Sequence, residues 1–111
     1  MTPIIISRSP NISLYPTLTL GKNGELVCAW YEYTSPHEPA RSDIWCSVSK
    51  NGTDWIAPVN VSGEVSYNNG PGVLWSTSGD YLLAWHSWRD PGKEPFTPDG
   101  DICNIFLARS S

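Results

Sequence analysis

No apolar run in the chain approaches the roughly 20 residues of a membrane-crossing helix. The longest apolar stretch near its start is Ile4-Ile5-Ile6, with no basic region before it, so no secretion signal is expected there. Cations are scarce: seven Lys and Arg face eleven Asp and Glu, for a net charge of -4. That balance argues against nucleic acid or an anionic membrane as partner. Cysteine is limited to Cys28, Cys46 and Cys103, an odd number without metal-ligand spacing. Neither a disulfide framework nor a zinc site is expected; buried free thiols fit a reducing compartment, with the cytoplasm as default. No segment carries a helical apolar period.

What the chain does have is aromatic and turn-forming. Apolar residues make up 40% and charged residues 16%, which places it among globular chains. Six Trp, nine Gly and ten Pro accompany runs of strand formers, and that mixture reads as all-β.

The chain also repeats itself. Displaced by about 55 residues, Pro3, Ser7, Pro16, Gly24, Ala29 and Trp30 fall on Pro58, Ser62, Pro71, Gly79, Ala84 and Trp85. Beyond a longer loop in the second copy, Ile44, Trp45 and Ser49 fall on Ile105, Phe106 and Ser110. The repeats run over about 2–55 and 56–111. The first offers strands at Pro3–Ser7, Pro16–Leu20, Glu25–Tyr33 and Asp43–Lys50. The second offers Pro58–Ser62, Gly72–Trp75, Asp80–Trp88 and Asn104–Arg109, with glycine-bearing turns between strands. Leu26–Trp30 and Tyr81–Trp85 are nearly all apolar, which predicts burial on both faces. Four short strands per unit of about 50 residues is the pattern of a β-propeller blade.

Gly24-x-Leu-Val-Cys-Ala-Trp30, then Asp43-Ile-Trp-Cys-Ser-Val-Ser49, then Asn51-Gly52-Thr-Asp-Trp55 resembles a blade of the sialidase (BNR, Asp-box) superfamily. The Asp-box turn of that family reads S-x-D-x-G-x-T-W. Gly52 and Trp55 hold its Gly and Trp places, while Val48, Lys50 and Asp54 stand in the Ser, Asp and Thr places. The resemblance implies a structural turn, with Trp55 as a packing residue.

The copies are cut unevenly. Lys50 aligns with Ser111, so the second copy ends where its own box would begin, and its outer strand corresponds to Thr2–Ser7. Two blades cannot curve far enough to bring that segment home. Head-to-tail association resolves the deficit, with the N-terminal strand of one chain completing a neighbour's blade. Propellers of the resembled family usually have six blades, which makes a homotrimer of two-blade chains the expected assembly. The alternative is a fragment of a longer propeller.

In the resembled family, ligands bind where the loops between second and third strands, and the loops entering each blade, emerge. Here that face carries residues 8–15, 34–42, 63–70 and 89–103. Candidate ligand-binding residues are Arg8, His37, Glu38, Arg41, Asp43, Trp88, Arg89, Asp90, Glu94 and Asp101. Trp88, or nearby Phe96, offers a stacking face for a sugar ring; the arginines suit a carboxylate, and the acids suit hydroxyls. No catalytic residue is assigned, because the arginine triad and Tyr/Glu pair of sialidases find no counterparts. His86, beside Trp85, reads as a packed histidine. Asp99-Gly100-Asp101 lacks the further ligands of a calcium loop, so no metal or other cofactor is expected. Threefold-repeated sites suit multivalent binding better than catalysis. The expectation is a non-catalytic, lectin-like carbohydrate-binding propeller. The alternatives are a fragment or relative of a sialidase-type glycoside hydrolase, and a structural or protein-binding propeller.

Overall fold

A computed structural model describes residues 2–35, 41–63, 68–87 and 104–110. Over these residues the chain is all-β, in two antiparallel sheets. The first sheet holds β1 (Ile12–Leu20), β2 (Leu26–Ser35), β3 (Arg41–Ser49) and β4 (Val59–Asn60), in that order. The second holds β5 (Asn68–Trp75), β6 (Tyr81–Ser87) and β7 (Asn104–Arg109). A single 3-10 turn, Lys22–Gly24, joins β1 to β2.

β2 is the centre of the molecule. From Val27 to Glu32 every residue is buried, as its apolar run predicts. One face of β2 carries Ala29, Tyr31 and Tyr33; with Ile44 and Cys46 of β3 it packs against Leu83 and Trp85 of β6. Val73, Phe106 and Ala108 complete the second sheet's side of this core. The other face carries Cys28 and Trp30, which cluster with Trp55, Leu26 and Trp45.

β6 differs from its expected two-sided burial. Leu83, Trp85 and Ser87 are buried, but the residues alternating with them are only half-buried. Its outward neighbours Leu74, Ile105 and Leu107 are exposed. Among the described residues nothing covers the second sheet's outer face, so its apolar strand is buried on one side only.

The two sheets share local backbone geometry at one repeat interval. Positive φ values occur at Arg8 and Gly63, at Tyr15 and Gly70, and at Gly24 and Gly79, each pair 55 residues apart. The ladders are also interrupted at matching places, between Leu14 and Thr17 in β1 and between Asn69 and Gly72 in β5. Because of its bulge, β1 starts at Ile12, upstream of the Pro16 start expected from sequence. At the bulge Tyr15 stacks on Tyr31 with ring centroids 5.6 Å apart.

The expected strand at Pro3–Ser7 is absent. Among the described residues they have no ladder partner, and strand geometry is held by pairing. Ile6 instead packs on the Cys28–Trp30–Trp55 cluster, while Ile5 is 76% exposed. The fourth strand of the first sheet is short, two residues paired with Trp45 and Cys46. Val61 extends it by donating its N–H to the Ile44 carbonyl at 2.7 Å.

The chain turns after β3 at residues 50–55, and Ser49 and Asn51 hold the turn. Ser49 Oγ accepts the Gly52 N–H at 2.8 Å, and Asn51 Oδ1 accepts the N–H groups of Thr53 and Asp54, both at 2.8 Å. Lys50, in the family's Asp place, is exposed. Trp55 is buried, with its indole N–H on the Gly52 carbonyl at 3.3 Å.

Candidate functional site

A rich polar geometry lies on the outer face of the first sheet, near the Ser35 end of β2. Glu32 sits near the end of β2, opposite Ser13 of β1 and Asp43 of β3. Its parity puts it on the same face as Trp30, and Trp30 donates its indole N–H to Glu32 Oε2 at 2.9 Å. The segment entering β1 folds over this carboxylate. Ser9 Oγ donates to Glu32 Oε1 at 2.8 Å, and Asn11 Nδ2 reaches the same oxygen at 3.5 Å. Glu32 is thereby 2% exposed, a burial that a carboxylate tolerates only when its lone pairs are satisfied.

A cleft of about 220 Å³ opens beside it, lined by Arg8, Ser9, Asn11, Glu32, Trp45 and Pro58, among others. Arg8 is held in a left-handed backbone conformation (φ 48) and donates from its guanidinium to the Trp55 carbonyl at 2.6 Å. The Arg8 side chain is otherwise exposed at the rim of the cleft. The Trp45 indole nitrogen is buried with no hydrogen-bond partner among the described residues. Donors, a carboxylate and an aromatic edge therefore share one small cleft.

Of the ten residues expected from sequence, Arg8 and Asp43 are described with side chains. Arg8 lines the cleft. Asp43 lies within β3; it is 1% exposed and accepts from Asn60 Nδ2 at 3.3 Å. Arg41 opens β3, its backbone paired with Ser35. His37, Glu38, Trp88, Arg89, Asp90, Glu94 and Asp101 lie outside the described residues. Sequence reading missed Ser9, Asn11, Glu32 and Trp45. The Trp30-x-Glu32 spacing was the available signal for Glu32, since alternate strand residues share a face.

No family model matches the chain, and no curated protein matches it. Among solved structures it is similar to a protein of unknown function from Dyadobacter fermentans DSM 18053, with 25% identity and a TM-score of 0.67. The likeness covers 97% of this chain and 35% of that one. The chain thus spans about a third of the length of that neighbour.

Two further features bear on chemistry. Burial pushes the Cys28 thiol up, and burial followed by the neighbouring Cys28 pushes up Cys46, so neither is a ready nucleophile. Among the described residues no cluster of three or more His, Cys, Asp or Glu side chains is placed to hold a metal. His86 is half-buried on β6. A Cβ built on Gly70 would lie 3.0 Å from its imidazole, so this histidine is packed against backbone.

Proposed function

We propose that the chain is a non-catalytic carbohydrate-binding module with the architecture of a sialidase-like β-propeller. The observation that carries this reading is the cleft beside Glu32. A sugar edge presents several hydroxyls that both donate and accept. The mouth of the cleft offers the exposed Arg8 guanidinium and the Ser9 hydroxyl and Asn11 amide that lie over the buried Glu32 carboxylate, within about 220 Å³, together with apolar surface from Pro58. Such a mixture of few polar groups and apolar surface is the usual make-up of a small-ligand site. Face-to-face stacking of the two sheets and their shared bulge positions support the propeller reading. The solved neighbour, about three times the matched length, leaves room for further units of this kind in one chain. Six blades, two from each of three copies, would close the ring.

A glycan array followed by calorimetry tests the binding. Arg8→Ala removes the exposed guanidinium; losing one hydrogen bond to a charged group, about 1.5–3 kcal/mol, should weaken a bound glycan by about tenfold to a hundredfold. Absence of any glycan binding at millimolar concentration would remove the proposal. Light scattering should return three times the chain mass for the closed ring.

A further inference from the structure

The sheet faces left open in one chain are counterparts of the faces already packed together within it. In the core between sheets, the first sheet contributes Ala29, Ile44 and Cys46. Their repeat equivalents in the second sheet are Ala84, Ile105 and Leu107. By strand parity these point the opposite way from Leu83 and Trp85, onto the outer face, where Ile105 is 76% and Leu107 67% exposed. The second sheet contributes Val73, Leu83 and Phe106 to the same core. Their equivalents are Leu18, Cys28 and Trp45, which share the first sheet's outer face; Leu18 is 59% exposed.

A polar group tells the same story independently. Asn68, buried at the intrachain interface, donates from its backbone N–H to Ser42 Oγ at 3.0 Å and from Nδ2 to the Ser42 carbonyl at 2.9 Å. Ser42 Oγ in turn donates to the Asn68 carbonyl at 2.5 Å. The equivalent of Asn68 in the first sheet is Ser13, whose hydroxyl is buried with no partner among the described residues. It lies where an interface hydrogen bond is made one repeat later.

We infer that the outer face of the second sheet is a docking surface for the outer face of the first sheet of another copy of this chain, in the relative placement that the two sheets have within one chain. The inference rests on the propeller reading and specifies the contact that reading requires. In this arrangement residues 3–7 leave the Cys28–Trp30–Trp55 cluster and pair with the neighbour's β7. The register follows from β4: Val59 pairs with Cys46 and Asn60 with Trp45, so Ile4 pairs with Leu107 and Ile5 with Phe106 of the neighbour. The segment has no ladder partner among the described residues and lines a cavity of about 290 Å³ with Ser13, Leu14 and Trp30.

A contact between two different faces has a mixing signature. Leu18→Glu disables one face and Ile105→Glu the other; both side chains are exposed, so each variant should keep its far-UV circular dichroism. In sedimentation, the parent chain should assemble, and each variant alone should run as a monomer. An equal mixture should form a 1:1 dimer, because each variant retains the face the other lacks. With Ile4→Cys added to the Ile105→Glu chain and Leu107→Cys to the Leu18→Glu chain, oxidation should lock that dimer covalently. A monomeric parent, a variant that self-associates as the parent does, or a mixture that stays monomeric would overturn the inference. A dimer that forms without cross-linking would overturn the strand register. Glycan binding by the monomeric variants is read separately, so failure of the contact is distinct from failure of the binding proposal.

Discussion

Replacing Trp30 with Phe and Glu32 with Leu, singly and together, asks whether the buried indole and carboxylate are bonded as the geometry requires. Glu32 is 2% exposed and takes the Trp30 N–H at 2.9 Å, in a sheet where Trp30 is itself 3% exposed. Glu32→Leu alone strands that N–H away from water, at a cost of about 1–3 kcal/mol. Trp30→Phe alone takes one donor from a buried carboxylate, where a charge-assisted bond contributes about 1.5–3 kcal/mol, and leaves a small void besides. In the double variant neither orphan exists; Ser9 and Asn11, nearer the surface, can turn to water. The pair should therefore destabilise by about 1.5–3 kcal/mol less than the summed single effects, a coupling within the range for directly bonded neighbours. Urea unfolding followed by far-UV circular dichroism, at one fixed protein concentration, measures all four corners. Effects that add to within about 0.5 kcal/mol would show the two side chains acting independently and refute the reasoning.

The turn after β3 should be sensitive where its hydrogen bonds are, at Ser49 and Asn51, and not at Lys50. Asn51→Ala, which removes the acceptor of two backbone N–H groups, should lower stability by about 1–2 kcal/mol, whereas Lys50→Ala should change it by less than about 0.5 kcal/mol; thermal melts decide. Gly52→Ala meets no clash, since the nearest atom to a built Cβ is 3.6 Å away, but its φ is 81; the left-handed strain alone should cost about 1–2 kcal/mol. Alkaline pH should unfold the protein selectively. Tyr81 is raised above its ordinary 10.0 by burial and by its hydrogen bond to Glu25 at 3.1 Å, and Cys28 above its ordinary 9.0 by burial. Both hold their protons more tightly folded than unfolded. Their contribution is therefore complete below about pH 9 and is lost as pH climbs through the raised values. Tyr81→Phe should flatten that decline above pH 10 in a urea-midpoint series.

The all-β character and the β2 core were legible because they rest on local patterns: an apolar run, glycine turns, and aromatic residues at matching repeat positions. The start of β1 was not. It crosses a bulge whose left-handed residue is Tyr15, a side chain that signals strand and not turn; its counterpart, Gly70, does signal the break. The turn after β3 showed its Gly and Trp but concealed the carriers of its hydrogen bonds, Ser49 and Asn51, which each neighbour the position the family pattern stresses. Pro3–Ser7 has strand-forming side chains, yet a strand also needs something to pair with, and that is not written in its own residues. Glu32 was hidden for a related reason. A glutamate becomes a buried acceptor only when Ser9 and Asn11, distant in sequence, arrive above it.

Among the described residues the second sheet has three strands and no partner beyond β7, so β7 is a border of amide and carbonyl groups with Ile105 and Leu107 exposed along it. A border of that kind does not discriminate strongly among extended peptides; whatever zips onto it first is rewarded. Arg109, tied to Asp80 at 2.8 Å, is the charged residue at its far end. Dilute, rapid refolding should therefore favour orderly product, and concentrated, partly denatured stock should drift toward fibrous precipitate.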